Sequence, residues 1–229
     1  MNTKYPIAAI AELIGEPARA AILLALMDGR SLTAGELALI ANVSAQSTSA
    51  HLSKMAAGGL LKAQSSGRHR YYRLAGSDVA HAIEALATIA TLPPSPAAIP
   101  TPHALEIRTA RSCYEHLAGR IAVEIATALE EENVIRQCGE RDYELGRNGH
   151  NWFSQLGIDL KPLCRTRRKF ARRCLDWTER KPHLAGALGT ALCARTMALG
   201  WFAKRRDTRA LRITHKGACE LHNRFGISA

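Results

Sequence analysis

The sequence predicts a mainly α chain with short β-hairpins. A helix–turn–helix with a hairpin wing is followed by a duplicated helix–hairpin–helix α+β domain. Three observations carry that expectation. Ala and Leu dominate an apolar content of 47%, with only 5% aromatics, a balance that favours helices. Residues 33–74 read as two short helices, a turn and a basic hairpin. His116-Leu117-Ala118-Gly119 recurs as His183-Leu184-Ala185-Gly186, and each copy is followed by elements in the same order.

Residues 6–14 form a first helix with an apolar stripe of Ile7, Ile10, Leu13 and Ile14. Glu16-Pro17 opens the next, with Pro at a first position where its missing N–H does no harm. Ile22, Leu23, Leu24, Leu26 and Met27 make it largely core, and Asp28-Gly29 stops it. Glu36, Leu37, Ile40 and Val43 then repeat at helical spacing. Ser44 is a suitable N-cap for a second short helix over Ala45–Ala57. Leu52 and Met55 lie on its inner face, and Gln46, Ser47, Ser49, Ala50 and Lys54 on its outer one. Gly58-Gly59 ends it. Leu60–Ala63 and Tyr71–Leu74 read as strands around a basic tip, Ser65-Ser66-Gly67-Arg68-His69-Arg70. Ser77-Asp78 opens a helix whose Val79, Ile83, Leu86 and Ile89 share a face.

A helix whose outward face carries small polar groups can enter the major groove and reach base edges, and a basic hairpin beside it can reach phosphates or the minor groove. The alternative is a helix pair with a solvated polar face. The stretch from Gly35 to Leu74 resembles the winged helix-turn-helix of ArsR/SmtB-type regulators. The resemblance rests on Glu36-Leu37-Ala38, Val43-Ser44, Ser49, His51-Leu52, Gly59-Leu60-Leu61 and Gly67-Arg68 to Tyr72-Leu74, and spans roughly residues 5–92. It implies a homodimer on a partly palindromic operator, released when an effector is sensed, with the first and last helices of the domain pairing across the dimer. Ala50 stands where that family often has His or Arg, so base reading shifts towards Gln46, Ser47 and Ser49. The DNA-contact set is Ser44, Gln46, Ser47, Ser49, Ala50, His51, Lys54, Arg68, His69 and Arg70. Double-stranded operator DNA and a second copy of the chain are the expected partners.

The net charge is +11, yet residues 1–92 hold eight Lys/Arg against six Asp/Glu, so most of the excess lies beyond them. Five of the nine prolines fall within residues 93–102, which reads as an extended linker. The expected domains are therefore 1–92, a linker over 93–103, and a C-terminal domain over 104–229 with copies at 116–158 and 183–227. In each copy an Ala-rich helix precedes two strand-like runs and a closing helix, around Gly149 or Gly217. Between the copies, residues 161–181 carry nine basic and two acidic residues. They form a solvated face, a contact for flanking DNA phosphates, or a site for an anionic effector. The apolar window Leu184–Ala203 contains Arg195, Gly186, Gly189 and Thr190. It reads as a buried helix and a strand rather than a membrane span. No signal-peptide pattern opens the chain, and the six cysteines form no CxxC pair, so a reducing cytoplasm is expected.

Two metal sites known in the resembling family have no counterpart. The first helix of the helix–turn–helix lacks thiols, and Asp78 and His81 lack the partners that the other site requires. In the second domain, Cys113, His116, Cys174, Asp176 and His183 are the candidate sensor residues for a metal or thiol effector. Cys113 and His116 fall three apart on an expected helix, and His183 is the repeat partner of His116. Buried, apolar-like thiols and hydrogen-bonded imidazoles are the plainer reading, and no cofactor or resident metal is assigned. Arg172-Arg173 before Cys174 and Arg165 after Cys164 would favour a reactive thiolate, whereas Cys138, Cys193 and Cys219 read as structural. No phosphate loop, nucleophile elbow, HExxH or dinucleotide fingerprint is present. The expectation is a DNA-binding repressor, not an enzyme, tuned by a small-molecule, metal or redox effector. The alternative is a ligand-binding protein or enzyme whose winged helix serves as a docking module.

Overall fold

The computed structural model describes residues 6–90, 102–113 and 115–228. Contacts divide the chain into two compact units, Met1–Ile89 and Ala90–Ala229.

The first unit runs α1 (Pro6–Ile14), α2 (Pro17–Ala25), a 3₁₀ turn (Leu26–Asp28), β1 (Leu32–Thr33), α3 (Ala34–Ala41), α4 (Ala45–Ala57), β2 (Leu61–Ser66), β3 (His69–Leu74) and α5 (Ser77–Ile89). Its helix starts are held by side chains. The Glu16 carboxylate accepts from the N–H groups of Ala18 and Arg19. Thr33 and Glu36 form a reciprocal capping box on α3. Ser44 Oγ accepts from Ser47 N at 3.2 Å on α4. Asn42 adopts a left-handed φ of 52° and ends α3, which makes the tight turn between the two helices. Ile22, Leu23, Leu26, Met27, Leu37, Leu52 and Met55 fill the core at 1% exposure or less. That seam fixes α4 against α2 and α3.

The wing is a three-stranded antiparallel sheet in the order β1-β3-β2. Leu61 to Ser66 pair with Leu74 to His69 without a break. The strands therefore consume most of the expected six-residue tip, and only Gly67-Arg68 turns the chain. Gly67 has φ 57°, the positive value that a two-residue hairpin loop demands at its first position. Strand β1 was not foreseen, because two residues carry no readable alternation.

The second unit runs α6 (Pro102–Thr109), β4 (Arg111–Cys113), β5 (His116–Ala118), α7 (Arg120–Glu131), β6 (Ile135–Cys138), β7 (Asp142–Leu145) and α8 (Gly149–Gln155). It continues through a 3₁₀ turn (Leu163–Arg165), β8 (Arg172–Leu175), β9 (Pro182–Ala185), α9 (Gly186–Ala198), β10 (Phe202–Lys204), β11 (Leu211–Ile213) and α10 (His215–Phe225). Helix α6 includes Pro102 and His103, expected as the end of the linker; residues 93–101 lie outside the described ones. The 13-residue helix α9 takes up most of the apolar window. Among the described residues, no helix is long and apolar enough to cross a membrane.

The order hairpin–helix–hairpin–helix occurs twice, as β4-β5-α7-β6-β7-α8 and β8-β9-α9-β10-β11-α10. The backbone contacts match as well. Leu211 N donates to Ala110 O at 2.9 Å, and Tyr143 N to Ala171 O at 3.1 Å. Ser112 N donates to Arg209 O and Arg173 N to Arg141 O, both at 2.9 Å. Each half thus lends its second hairpin to the first hairpin of the other. Gly119 and Gly186 open α7 and α9 with φ of 88° and 79°, and a Cβ on either would lie within 2.7 Å of a backbone oxygen. One core, with Trp201 and Phe153 at its centre, serves both halves.

Candidate functional site

Two groups of side chains could act on something outside the fold. One is the outer surface of α4 with the β2–β3 hairpin. The buried Thr48, Leu52 and Met55 turn α4 inward, which leaves Gln46, Ser47, Ser49, Ala50, Ser53 and Lys54 exposed. Ser44 Oγ donates to Ser47 Oγ at 3.0 Å, and Ser49 Oγ donates back to Ala45 O at 3.0 Å. Gln46, Ser53 and Lys54 are free of such local bonds in their reach outward. Sequence reasoning passed over Ser53, although it stands one turn beyond Ser49 and Ala50. His51 does not belong to this surface: it is half-buried, with Nδ1 3.7 Å from Glu16 Oε2. The N–H of Arg19, then that of Ala18 and the nearby His51, hold the Glu16 carboxyl below its usual range against the effect of burial. His51 therefore ties α4 to the start of α2. On the hairpin, Arg68, His69 and Arg70 are all exposed. Arg68 sits at the turn, and the Arg70 guanidinium lies 5.6 Å from the Tyr72 ring centroid.

The second group is buried inside the second unit. Cys113 faces His116 across the β4–β5 hairpin, and Cys174 faces His183 across β8–β9. The ligand atoms of these four side chains all lie within 4.8 Å of one another. The two Nε2 atoms are 3.1 Å apart, with ring centroids at 5.0 Å. Cys113 and His183 are buried, while His116 and Cys174 are half-buried. The Cys174 thiol beside it, together with burial, pushes the Cys113 thiol up to about 12.

Asp176 stands behind this cluster rather than in it. Its Oδ2 accepts from Arg111 Nη2 at 2.9 Å and Gly119 N at 2.7 Å, and lies 3.5 Å from His183 Nδ1. Its Oδ1 accepts from Thr178 N and Oγ1. Burial opposes ionisation of Asp176, but the Arg111 guanidinium, the Thr178 hydroxyl and the Gly119 N–H outweigh it, so the carboxyl stays well below its usual range. Arg111 is 1% exposed and its guanidinium lies 5.2 Å from the Trp177 ring.

A MarR-family model matches residues 16–70. Over 221 residues the chain is 43% identical to the uncharacterized HTH-type transcriptional regulator YdfF of Bacillus subtilis (strain 168), a match that covers 96% of this chain and 97% of that protein. The chain belongs to the HTH-type transcriptional regulators. Among solved structures, the homodimeric winged helix-turn-helix DNA-binding domain of Mb0332 from Mycobacterium bovis is 27% identical. That likeness covers 35% of this chain and 74% of the other, at a TM-score of 0.33. NolR from Sinorhizobium fredii is 27% identical, covering 37% and 83%, at a TM-score of 0.34.

For this regulator, the structure brings together four of the five expected sensor residues and gives Asp176 a supporting place. It also corrects how they meet. Cys113 and His116 do not share a helix; they are opposite residues of a hairpin. Their three-residue spacing fits either arrangement. Of the two arginines that precede Cys174 on β8, Arg172 shares its face of the strand and Arg173 lies on the other. Neighbours on a strand face opposite ways, and Arg173 turns to the Tyr143 ring at 5.7 Å while Cys174 turns inward. Cys138 and Cys219, read as structural, are exposed, as is Cys164. Part of the basic segment has partners of its own: Arg168 pairs with Glu115, and Lys169 with Asp142.

Proposed function

We propose that this regulator is an ArsR-type repressor that binds operator DNA as a homodimer. In this reading α4 enters the major groove, Gln46, Ser47, Ser49, Ala50, Ser53 and Lys54 face the bases and their flanking phosphates, and Arg68, His69 and Arg70 follow the backbone beside it. Ser44 acts as the helix cap and His51 as its anchor. The observation that carries the reading is the two-sidedness of α4: three buried side chains lock one face, and every residue on the other is short or flexible and exposed, all but Ala50 polar. A recognition helix needs that combination of rigid placement and small outward groups.

The dimer is supported by α1 and α5. Helix α1 has no buried residue, with Ile7 79% exposed, and Ile89 on α5 is 73% exposed. Apolar exposure on that scale at the two ends of one unit suits burial against a second copy. The C-terminal unit serves as the regulatory part, where an effector changes how well the two reading heads match their half-sites.

Fluorescence anisotropy of the full-length protein on DNA from upstream of its own gene, with a scrambled duplex as control, tests this. Tight binding to the first and weak binding to the second is expected. Equal, weak binding to both would overturn the proposal.

A further inference from the structure

We propose that Cys113, His116, Cys174 and His183 form a tetrahedral metal site of the zinc class, placed where the two halves of the second unit are related by an internal two-fold. This inference stands apart from DNA binding and requires only the second unit.

The first argument is equivalence. The matched backbone bonds equate Ala110 with Ala171 and Ser112 with Arg173, so Cys113 corresponds to Cys174. The repeated His-Leu-Ala-Gly equates His116 with His183. Each repeat therefore offers one Cys and one His, directly opposite each other on its first hairpin. Two equivalent pairs that converge must do so around the axis relating them. The duplication is hard to see there because the hairpin loops differ in length: Cys113 and His116 are separated by two residues, Cys174 and His183 by eight.

The second argument is geometry. A tetrahedral zinc with bonds of about 2.0–2.1 Å to nitrogen and 2.3 Å to sulfur sets neighbouring donors about 3.3–3.8 Å apart. The His116 and His183 Nε2 atoms already stand at 3.1 Å, and all four donors fall within 4.8 Å. Small side-chain rotations bring them onto one ion.

The third argument is chemistry. Two thiolates offset the charge of a divalent cation, so the loaded site is neutral and tolerates burial. Thiolate and imidazole donors suit zinc and reject calcium and magnesium, which take oxygen ligands. Asp176 Oδ2 stands 3.5 Å from His183 Nδ1, which makes no hydrogen bond as placed; a small shift would give it the support that metal-bound imidazoles receive on their far nitrogen. It favours the tautomer that leaves Nε2 unprotonated towards the cluster. The plainer account, of apolar-like thiols and hydrogen-bonded imidazoles, draws the same four side chains together without an ion, and the metal titration below separates the two. Four protein ligands leave no open position, so the site does not activate water; it ties the β4–β5 hairpin to the β8–β9 hairpin.

The test uses the full chain, reduced and stripped by a chelator, then titrated with Co²⁺. Saturation at one equivalent per chain, with the visible bands of tetrahedral cobalt and a thiolate-to-cobalt charge-transfer band, is expected, with Zn²⁺ displacing the cobalt. Zn²⁺ should also protect Cys113 and Cys174 from alkylation while exposed Cys138, Cys164 and Cys219 still react. The cobalt bands should vanish in Cys113→Ser and Cys174→Ser and persist in Cys138→Ser. Should the Ser variants not fold, alkylation mapping of the unaltered protein decides. Absence of a tetrahedral spectrum, bands that survive both Ser substitutions, or equal alkylation of all exposed and clustered thiols with Zn²⁺ present would each overturn the proposal.

Discussion

The two units handle their chemistry in opposite ways. The first presents the polar side chains of α4 and the hairpin on the outside and leaves large apolar side chains there too. Among the described residues, Ile7, Leu24, Leu39, Ile40, Leu86 and Ile89 are exposed, against only Leu105 and Leu175 in the second. The second turns its chemistry inward, with Arg111, Asp176 and His183 all 1% exposed or less. Symmetry accounts for much of this contrast. A duplicated unit supplies its own second half, and each half covers the other's apolar faces. The first unit is not duplicated and has no second half of its own.

The largest expected effect tests the inward-facing side. Removing one member of a buried ion pair strands the other charge, at a cost of about 3–5 kcal/mol. Arg111→Ala and Asp176→Ala should each lower the stability of the second unit by that amount, as measured by urea denaturation. The first unit should keep its own stability. Loss of both units together would erase the contrast, because it would make them one cooperative body.

The outward-facing side breaks differently. If α1 and α5 close the dimer, Ile7→Glu with Ile89→Glu should give a monomer in analytical ultracentrifugation without unfolding the first unit. Operator affinity should fall on the order of 10²-fold, since two linked half-site contacts become separate events. A variant that stays dimeric would move the interface elsewhere.

How much of this was readable beforehand follows the same division. Helix α4 came out of the sequence with its bounds and its cap, because Ser44, Leu52, Met55 and Gly58 are local signals. The orientation of His51 did not. Its tie to Glu16 is made across 35 positions, and no helical periodicity reports it. In the second unit, the repeated His-Leu-Ala-Gly exposed the duplication from α7 and α9 onwards. Strands β4, β5, β8 and β9 were missed because three or four residues are too few to alternate visibly, and the unequal loops put β4 and β8 out of register with the rest. The cysteines were thus noticed individually while their pairing with the histidines stayed hidden. A Cys-x-x-His spanning a tight turn was the signal that could have found it.

Inside the second unit the halves can be set against each other. A Cβ at Gly149 would lie 2.6 Å from Val134 O, and one at Gly217 only 2.0 Å from Trp201 O. Gly149→Ala and Gly217→Ala should each cost about 1–3 kcal/mol through overpacking, with Gly217→Ala the worse. Thermal melts should show both substitutions shifting one shared transition, because a single core serves both halves. Two separate transitions would mean that the repeats fold as independent bodies.

The smallest effects separate the two kinds of DNA contact proposed for the outer surface. Gln46 is exposed near the start of α4, where a long amide can reach base edges. Gln46→Ala should therefore cost about 1–3 kcal/mol on the preferred operator and little on scrambled DNA. Arg68 sits at the turn of the β2–β3 hairpin, and in the proposed complex a guanidinium there meets phosphate whatever the sequence. Arg68→Ala should weaken binding to both DNAs alike and reduce the slope of log affinity against log salt by about 1. Anisotropy titrations across several salt concentrations read both quantities from the same samples. If Arg68→Ala changed only the preference between DNAs and left the salt slope alone, the hairpin would be reading sequence and α4 would lose its place as the sole reader.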